Sequence, residues 1–163
     1  MTTPVPEVLP APAPRPGDIL LFSRPHRSRD FLIQWFTRSP FYHSAIYAGD
    51  DSVIESRPQG VIRNGLQGRE GGYRVIPAPG GKGAEALVWA ETQLGAGYDR
   101  FDMLVIVLEH VFTHWHLNYV PHGKYTCGEF VATVYQSVGV TLAPGRDLDD
   151  VVPADFAHLL PAA

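Results

Sequence analysis

Cys127 is the only cysteine among the 163 residues of this chain. No intramolecular disulfide can form, so the covalent framework does not call for an oxidising compartment. A basic excess is also missing. The formal charge is -4 and the arginines are scattered, which removes the footprint expected of a nucleic-acid-binding protein. No apolar run reaches the ~20 residues needed to span a bilayer. The longest begins at Phe101, continues through Phe112, Trp115 and Leu117, and is interrupted by Asp102, Glu109 and His110; it reads as a buried helix. The zinc signature H-E-x-x-H is absent too. His110 and His114 stand one helical turn apart without the glutamate, and no cysteine or dense carboxylate set lies nearby. His110, His114 and His116 are therefore read as helix-end or surface residues, and no metal or other cofactor is expected. No internal repeat is visible.

What remains has the composition of a globular protein. At 45% hydrophobic and 18% charged residues, the chain can build one buried core of ordinary size. The exception is the N-terminus, MTTPVPEVLPAPAPRPG, with six prolines before Gly17. Repeated proline favours extended polyproline II and removes backbone donors, so residues 1–16 are expected to be a disordered or semi-rigid arm and residues 17–163 the folded domain. The arm has neither a basic n-region nor an apolar h-region, and no secretory signal is expected. The group Arg24, His26, Arg27 and Arg29 reads as a solvated loop.

Cys127 sits where an extended stretch, Tyr125-Thr126, gives way to a helical pattern. Phe130, Val131, Val134, Tyr135 and Val138 recur at helical spacing and Gly139 closes the segment. A thiol at a helix N-terminus is beside amides that lower its pKa and can cradle an oxyanion. A histidine and a carboxylate lie on a β-hairpin upstream: His43 opens the run HSAIYAG, Glu55 lies in SVIES, and Gly49-Asp50-Asp51 joins the two. Period-2 geometry puts both on one sheet face if the register allows it. Cysteine, histidine and carboxylate together are the parts of a thiol hydrolase, with Cys127 as nucleophile, His43 as base and Glu55 as the group that orients the imidazole. The backbone amide of Cys127 would stabilise an oxyanion. Tyr125, two residues upstream, is a candidate for orienting substrate or a packed aromatic.

The stretch from His43 to Asn64, HSAIYAGDDSVIESRPQGVIRN, resembles the histidine hairpin of NlpC/P60 cysteine peptidases. There the catalytic histidine opens a strand and the third polar member follows twelve residues later, the position of Glu55. The cysteine follows the histidine here instead of preceding it, so the chain resembles the circularly permuted branch, which includes YiiX/YebB-like and lecithin retinol acyltransferase-like proteins. Pro16 to Phe22, PGDILLF, is similar to the opening "GD-apolar" strand of that branch. Ala90 to Asp99, AETQLGAGYD, is similar to its "LG-x-x-YD" segment, and Tyr125 to Gly139 to its "Y-x-C-S-E" helix, with Gly128 in place of the serine.

The resemblance implies an α+β, permuted papain-like fold in which an antiparallel sheet packs against the helix carrying the cysteine. Strands are expected at 18–23, 43–48, 52–56, 61–63 and 73–76. Helices are expected at 28–37, 83–94, 100–115 and 127–138, with a short one from Pro153 to Leu160. Ile19, Leu21, Ala45, Tyr47, Val53 and Ile62 are expected to face the cysteine helix. The implied activity is cleavage of an amide in peptidoglycan stem peptides through an acyl-enzyme. The alternatives are a lipid-directed acyltransferase or thioesterase of the same fold, or a non-catalytic virion or structural binding module. Without an export signal, a wall-directed enzyme would be cytoplasmic until release or would be carried on a bacteriophage particle, with the proline-rich arm as its attachment.

Overall fold

Asp18 marks the point where the chain turns into its sheet. Its buried carboxylate accepts the backbone amides of Arg15 and Ala78, each at 2.8 Å, and its carbonyl accepts the amide of Tyr47. A carboxylate satisfied in this way by main-chain donors serves as a structural clasp, which explains why Gly-Asp precedes the first strand. The computed structural model describes residues 13–23, 39–69, 72–96 and 125–161. Most of the expected N-terminal arm and the helices expected at 28–37 and 100–115 lie outside these residues, as do His110, His114 and His116.

The architecture is α+β. Strands β1 (Ile19–Phe22), β2 (His43–Gly49), β3 (Ser52–Arg57), β4 (Gly60–Gly65) and β5 (Tyr73–Ile76) form one sheet in the order β4-β3-β2-β1-β5, with every pairing antiparallel. The turn between β2 and β3 places Asp50 and Asp51 at φ 48° and 49°. Aspartate is one of the few non-glycine types that visits this left-handed region, and two such residues in succession suit the twist of a two-residue hairpin.

Two helices complete the described core: α1 (Gly83–Thr92) and α2 (Cys127–Ser137). They cover one sheet face, where Ile19, Leu21, Ile46, Ile54, Val61 and Ile76 pack with Ala86, Ala90, Phe130, Val131, Val134 and Tyr135. Each fully buried large apolar side chain of this group contributes roughly 1.5–3 kcal/mol relative to exposure, so the docking of α2 is chiefly hydrophobic. The expected set of helix-facing strand residues holds for Ile19 and Leu21 and needs correction for the others. Ala45, Tyr47 and Val53 belong to the opposite face, with Leu20, Phe22 and Val75, and Ile62, which pairs with Glu55, is on that same face. The reason is parity. Ile46 pairs with both Ile19 and Ile54, and paired residues share a face. Strand β2 is buried on both sides along Ser44 to Tyr47, so its own alternation does not reveal which side meets the helix.

Helix α2 ends in a Schellman motif. The Gly139 amide bonds the Gln136 carbonyl and the Val140 amide bonds the Tyr135 carbonyl, with Gly139 at φ 82°. The C-terminal element expected near Pro153 is present as a 3-10 helix, Pro153–Leu159, anchored by the buried Phe156. Among the described residues, no helix is long and apolar enough to cross a membrane.

Candidate active site

The start of α2 is fixed from two sides. A capping box closes it: Thr126 Oγ1 accepts the Glu129 amide at 3.2 Å, and a Glu129 carboxylate oxygen accepts the Thr126 amide at 3.1 Å. The pattern T-x-x-E is written in Thr126-Cys127-Gly128-Glu129, a signal for a helix start that the apolar spacing alone had not used. The sheet then grips the same segment. Ser44 Oγ donates to the Cys127 carbonyl at 2.9 Å and Ser56 Oγ to the Tyr125 carbonyl at 2.6 Å. Both serines are buried, so these hydroxyls would be costly to leave unpaired. The amides of Cys127 and Gly128, first and second in the helix, have no intrahelical acceptor and point out of its N-terminus.

Gly128 has a packing reason. A Cβ built there would lie 2.2 Å from the Val151 carbonyl oxygen and 2.9 Å from Val152 Cα, so the 151–152 backbone crosses directly over the residue after the thiol. The serine expected by resemblance at this position does not fit this arrangement. Backbone atoms have no slack with which to make room.

His43 and Glu55 meet as the hairpin geometry requires. Both are on the sheet face opposite the helices, His43 at the mouth of β2, and His43 Nε2 lies 2.6 Å from Glu55 Oε2. An ionised carboxylate only accepts, so Nε2 carries the proton and Nδ1 is left for the thiol. The imidazole also lies against the rings of Phe22 and Tyr42, with centroids 5.6 and 6.3 Å away. Burial opposes protonation of His43, but the hydrogen bond and charge of Cys127, followed by those of Glu55, hold its pKa above the ordinary value. Burial pushes the Cys127 thiol up. The hydrogen bond and charge of His43, the Ser44 amide and the charge of Arg57 outweigh it and bring the thiol below its usual range. Both shifts favour a thiolate-imidazolium pair.

Glu55 is fully buried and heavily engaged. Besides His43, it accepts Arg69 Nη1 at Oε1 and Arg69 Nη2 at Oε2, both at 3.0 Å, and Asn64 Nδ2 at Oε1 at 3.1 Å. Arg57 Nε is 3.0 Å from Oε1. Burial would raise the Glu55 pKa, yet His43, Arg57 and Arg69 hold it far below the usual carboxylate range. The guanidinium of Arg69 also lies 3.9 Å from the centroid of Phe22, a cation–π contact that fixes its plane.

The structure thus brings Cys127, His43 and Glu55 together. Tyr125 is directed elsewhere: its hydroxyl is 3.2 Å from Gln93 Oε1, and its ring lies 5.9 Å from that of Phe130. Sequence reasoning passed over Arg57, Asn64, Arg69 and Ser44. Arg57 was accessible, being two residues beyond Glu55 on one strand. Arg69 lies in the loop after β4, where no periodicity marks it. Among the described residues, no group of three or more His, Cys, Asp or Glu side chains is arranged to hold a metal ion. No protein-family model matches the chain, and no curated protein gives a significant sequence match.

Proposed function

We propose that this protein is a cysteine hydrolase of the circularly permuted NlpC/P60 type, cleaving an amide bond in peptidoglycan stem peptides. The observation that carries the reading is the position of His43, held 2.6 Å from the buried Glu55 at Nε2 and close enough to the Cys127 thiol that each shifts the other's pKa toward the charged form. A surface histidine or a packed core cysteine needs neither partner.

In this reading the Cys127 thiolate attacks the acyl carbon. The C–S bond forms as the carbonyl π electrons move to oxygen, and the amides at the start of α2 stabilise that oxyanion. The imidazolium of His43 then gives its proton to the leaving amine as the C–N bond breaks. Water, deprotonated by the now neutral His43, releases the acid and restores the thiol pair. Glu55 stays ionised throughout and holds the imidazole in one tautomer. The permuted papain-like assignment rests on the order of the motifs, on an antiparallel sheet against the cysteine helix, and on the histidine and the acid in one hairpin. Carriage on a bacteriophage particle belongs to the same proposal and would give the enzyme access to the wall.

The test is release of new amino groups from purified peptidoglycan by wild-type protein, beside Cys127→Ala and His43→Ala. Release lost in both variants supports the reading. Wild-type protein that releases no amine from peptidoglycan, but forms a covalent acyl adduct with lipid vesicles, would shift it to an acyltransferase of the same chemistry.

A further inference from the structure

The carboxylate of Glu55 is already satisfied without Arg57. His43, both arms of Arg69 and Asn64 supply four hydrogen bonds to its two oxygens. Arg57 Nε approaches Oε1 to 3.0 Å, yet it is buried and out of line for a hydrogen bond. The guanidinium makes no hydrogen bond with any other described residue. Charge counting leads to the same place. Glu55 brings one negative charge, Arg57 and Arg69 bring two positive charges, and the thiolate and imidazolium cancel, so one positive charge is in surplus.

That surplus is next to the nucleophile. Arg57 is two residues beyond Glu55 on the same face of β3, and the β2–β3 register, carried outward from the Ile46–Ile54 pair, sets it opposite His43. Its side chain is 23% exposed, against 11% for Arg69, so Arg57 is the more accessible of the two. At rest the thiolate neutralises part of its field. Once the sulfur is acylated that negative charge is gone, and the guanidinium faces no anionic group among the described residues except Glu55.

We infer that Arg57 is a specificity-determining residue that recognises a carboxylate on the substrate, so that the site takes acyl donors with a carboxylate close to the scissile carbonyl. The inference rests on the hydrolase reading for the word substrate, but recognition of an anion at the thiol can be measured without one. A guanidinium suits this role because its planar fork matches a carboxylate.

Iodoacetate and iodoacetamide differ by one charge. Both are attacked by the same thiolate, which forms a C–S bond as iodide leaves with the electron pair of the C–I bond, so the ratio of their rates cancels the fraction of thiol ionised. In the full chain at neutral pH, Arg57→Gln is expected to lower the iodoacetate-to-iodoacetamide ratio at Cys127 by about fivefold or more, the size of effect one nearby charge exerts at a partly buried site. Arg57→Lys should retain most of the ratio, and Arg63→Gln, whose parent residue is paired with the exposed Glu91, should retain all of it. An unchanged ratio in Arg57→Gln, or an equal fall in Arg63→Gln, overturns the inference. Should Arg57→Gln fail to fold, wild-type protein decides the matter: the ratio must fall as salt is added, and a flat response overturns the inference. The iodoacetamide rate alone judges the hydrolase reading, because an unactivated thiol would be slow in acid whatever the ratio.

Discussion

Arg69 grips Glu55 with both arms of its guanidinium, Nη1 to Oε1 and Nη2 to Oε2 at 3.0 Å, while His43 takes one of the same oxygens at 2.6 Å. The acid that orients the imidazole is therefore itself oriented. A carboxylate held this way has little rotational freedom, so Arg69 sets the direction of the His43 ring through Glu55.

Arg69→Gln should be strongly destabilising, by about 3–5 kcal/mol, because removing one partner leaves a buried charge undercompensated. Arg69→Lys keeps the charge and loses the fork, so it should recover only part of the loss. Urea unfolding monitored by tryptophan fluorescence checks both. Equal stability of the two variants would show that the retained charge contributes nothing without the fork, and an Arg69→Lys variant as stable as wild type would show that charge alone matters at this position.

Glu55→Gln tests the linkage to pH. The folded pKa of Glu55 lies below its unfolded value, so its stabilisation is fully present above the unfolded pKa of about 4.3 and is lost as pH falls through the folded one. The stability gap between wild type and Glu55→Gln should narrow progressively on acidification below about pH 5. A gap that widens in acid would contradict an ionised Glu55.

The thiol pair has its own pH signature. With Cys127 lowered and His43 raised, alkylation by iodoacetamide should persist well below the ~8.5 of a free thiol. In His43→Ala the main lowering influences vanish while burial remains, so the acid limb should move above the free-thiol value. The rate near pH 6 should fall steeply relative to wild type. Coincident profiles for the two proteins would remove the activated thiol.

Gly128→Ser should destabilise by about 1–3 kcal/mol, the usual cost of forcing atoms into a filled site. Its Cβ would collide with the Val151 carbonyl, so the crossing of residues 151–152 over α2 must shift. Thermal unfolding of the variant measures this, and an unchanged midpoint would mean that the crossing yields easily. Thr126→Ala, which removes the N-cap of the same helix, should cost about 1 kcal/mol.

Much of this was legible in the residues. The hairpin that carries His43 and Glu55 follows from two β-type runs around Gly49-Asp50-Asp51, and α2 from the spacing after Cys127. The side of the sheet was not legible for β2, because Ser44 to Tyr47 are buried on both faces and only pairing with β1 and β3 fixes which parity meets the helix. Arg69 was hidden for a different reason: a loop residue gains its role from where the loop ends, and no local pattern encodes that. Tyr125 looked like a site residue by its nearness in sequence to Cys127. Its ring packs beside that of Phe130 and its hydroxyl meets Gln93 instead.

The sequence interval between the two halves of the site bears on when the site comes into being. His43, Glu55, Arg57, Asn64 and Arg69 fall within one short stretch of strands and loops, whereas the hydroxyl that seats the cysteine reaches across 83 positions, from Ser44 to the Cys127 carbonyl. Contacts of such span are closed late, after local hairpins have formed. On a ribosome the base and its carboxylate would emerge well before the nucleophile, and the nascent chain would carry a prepared but harmless half-site. Reactivity then begins with the docking of a single helix, which makes the chain suited to fragment complementation: two inert pieces, divided between α1 and α2, whose association alone would switch the thiol on.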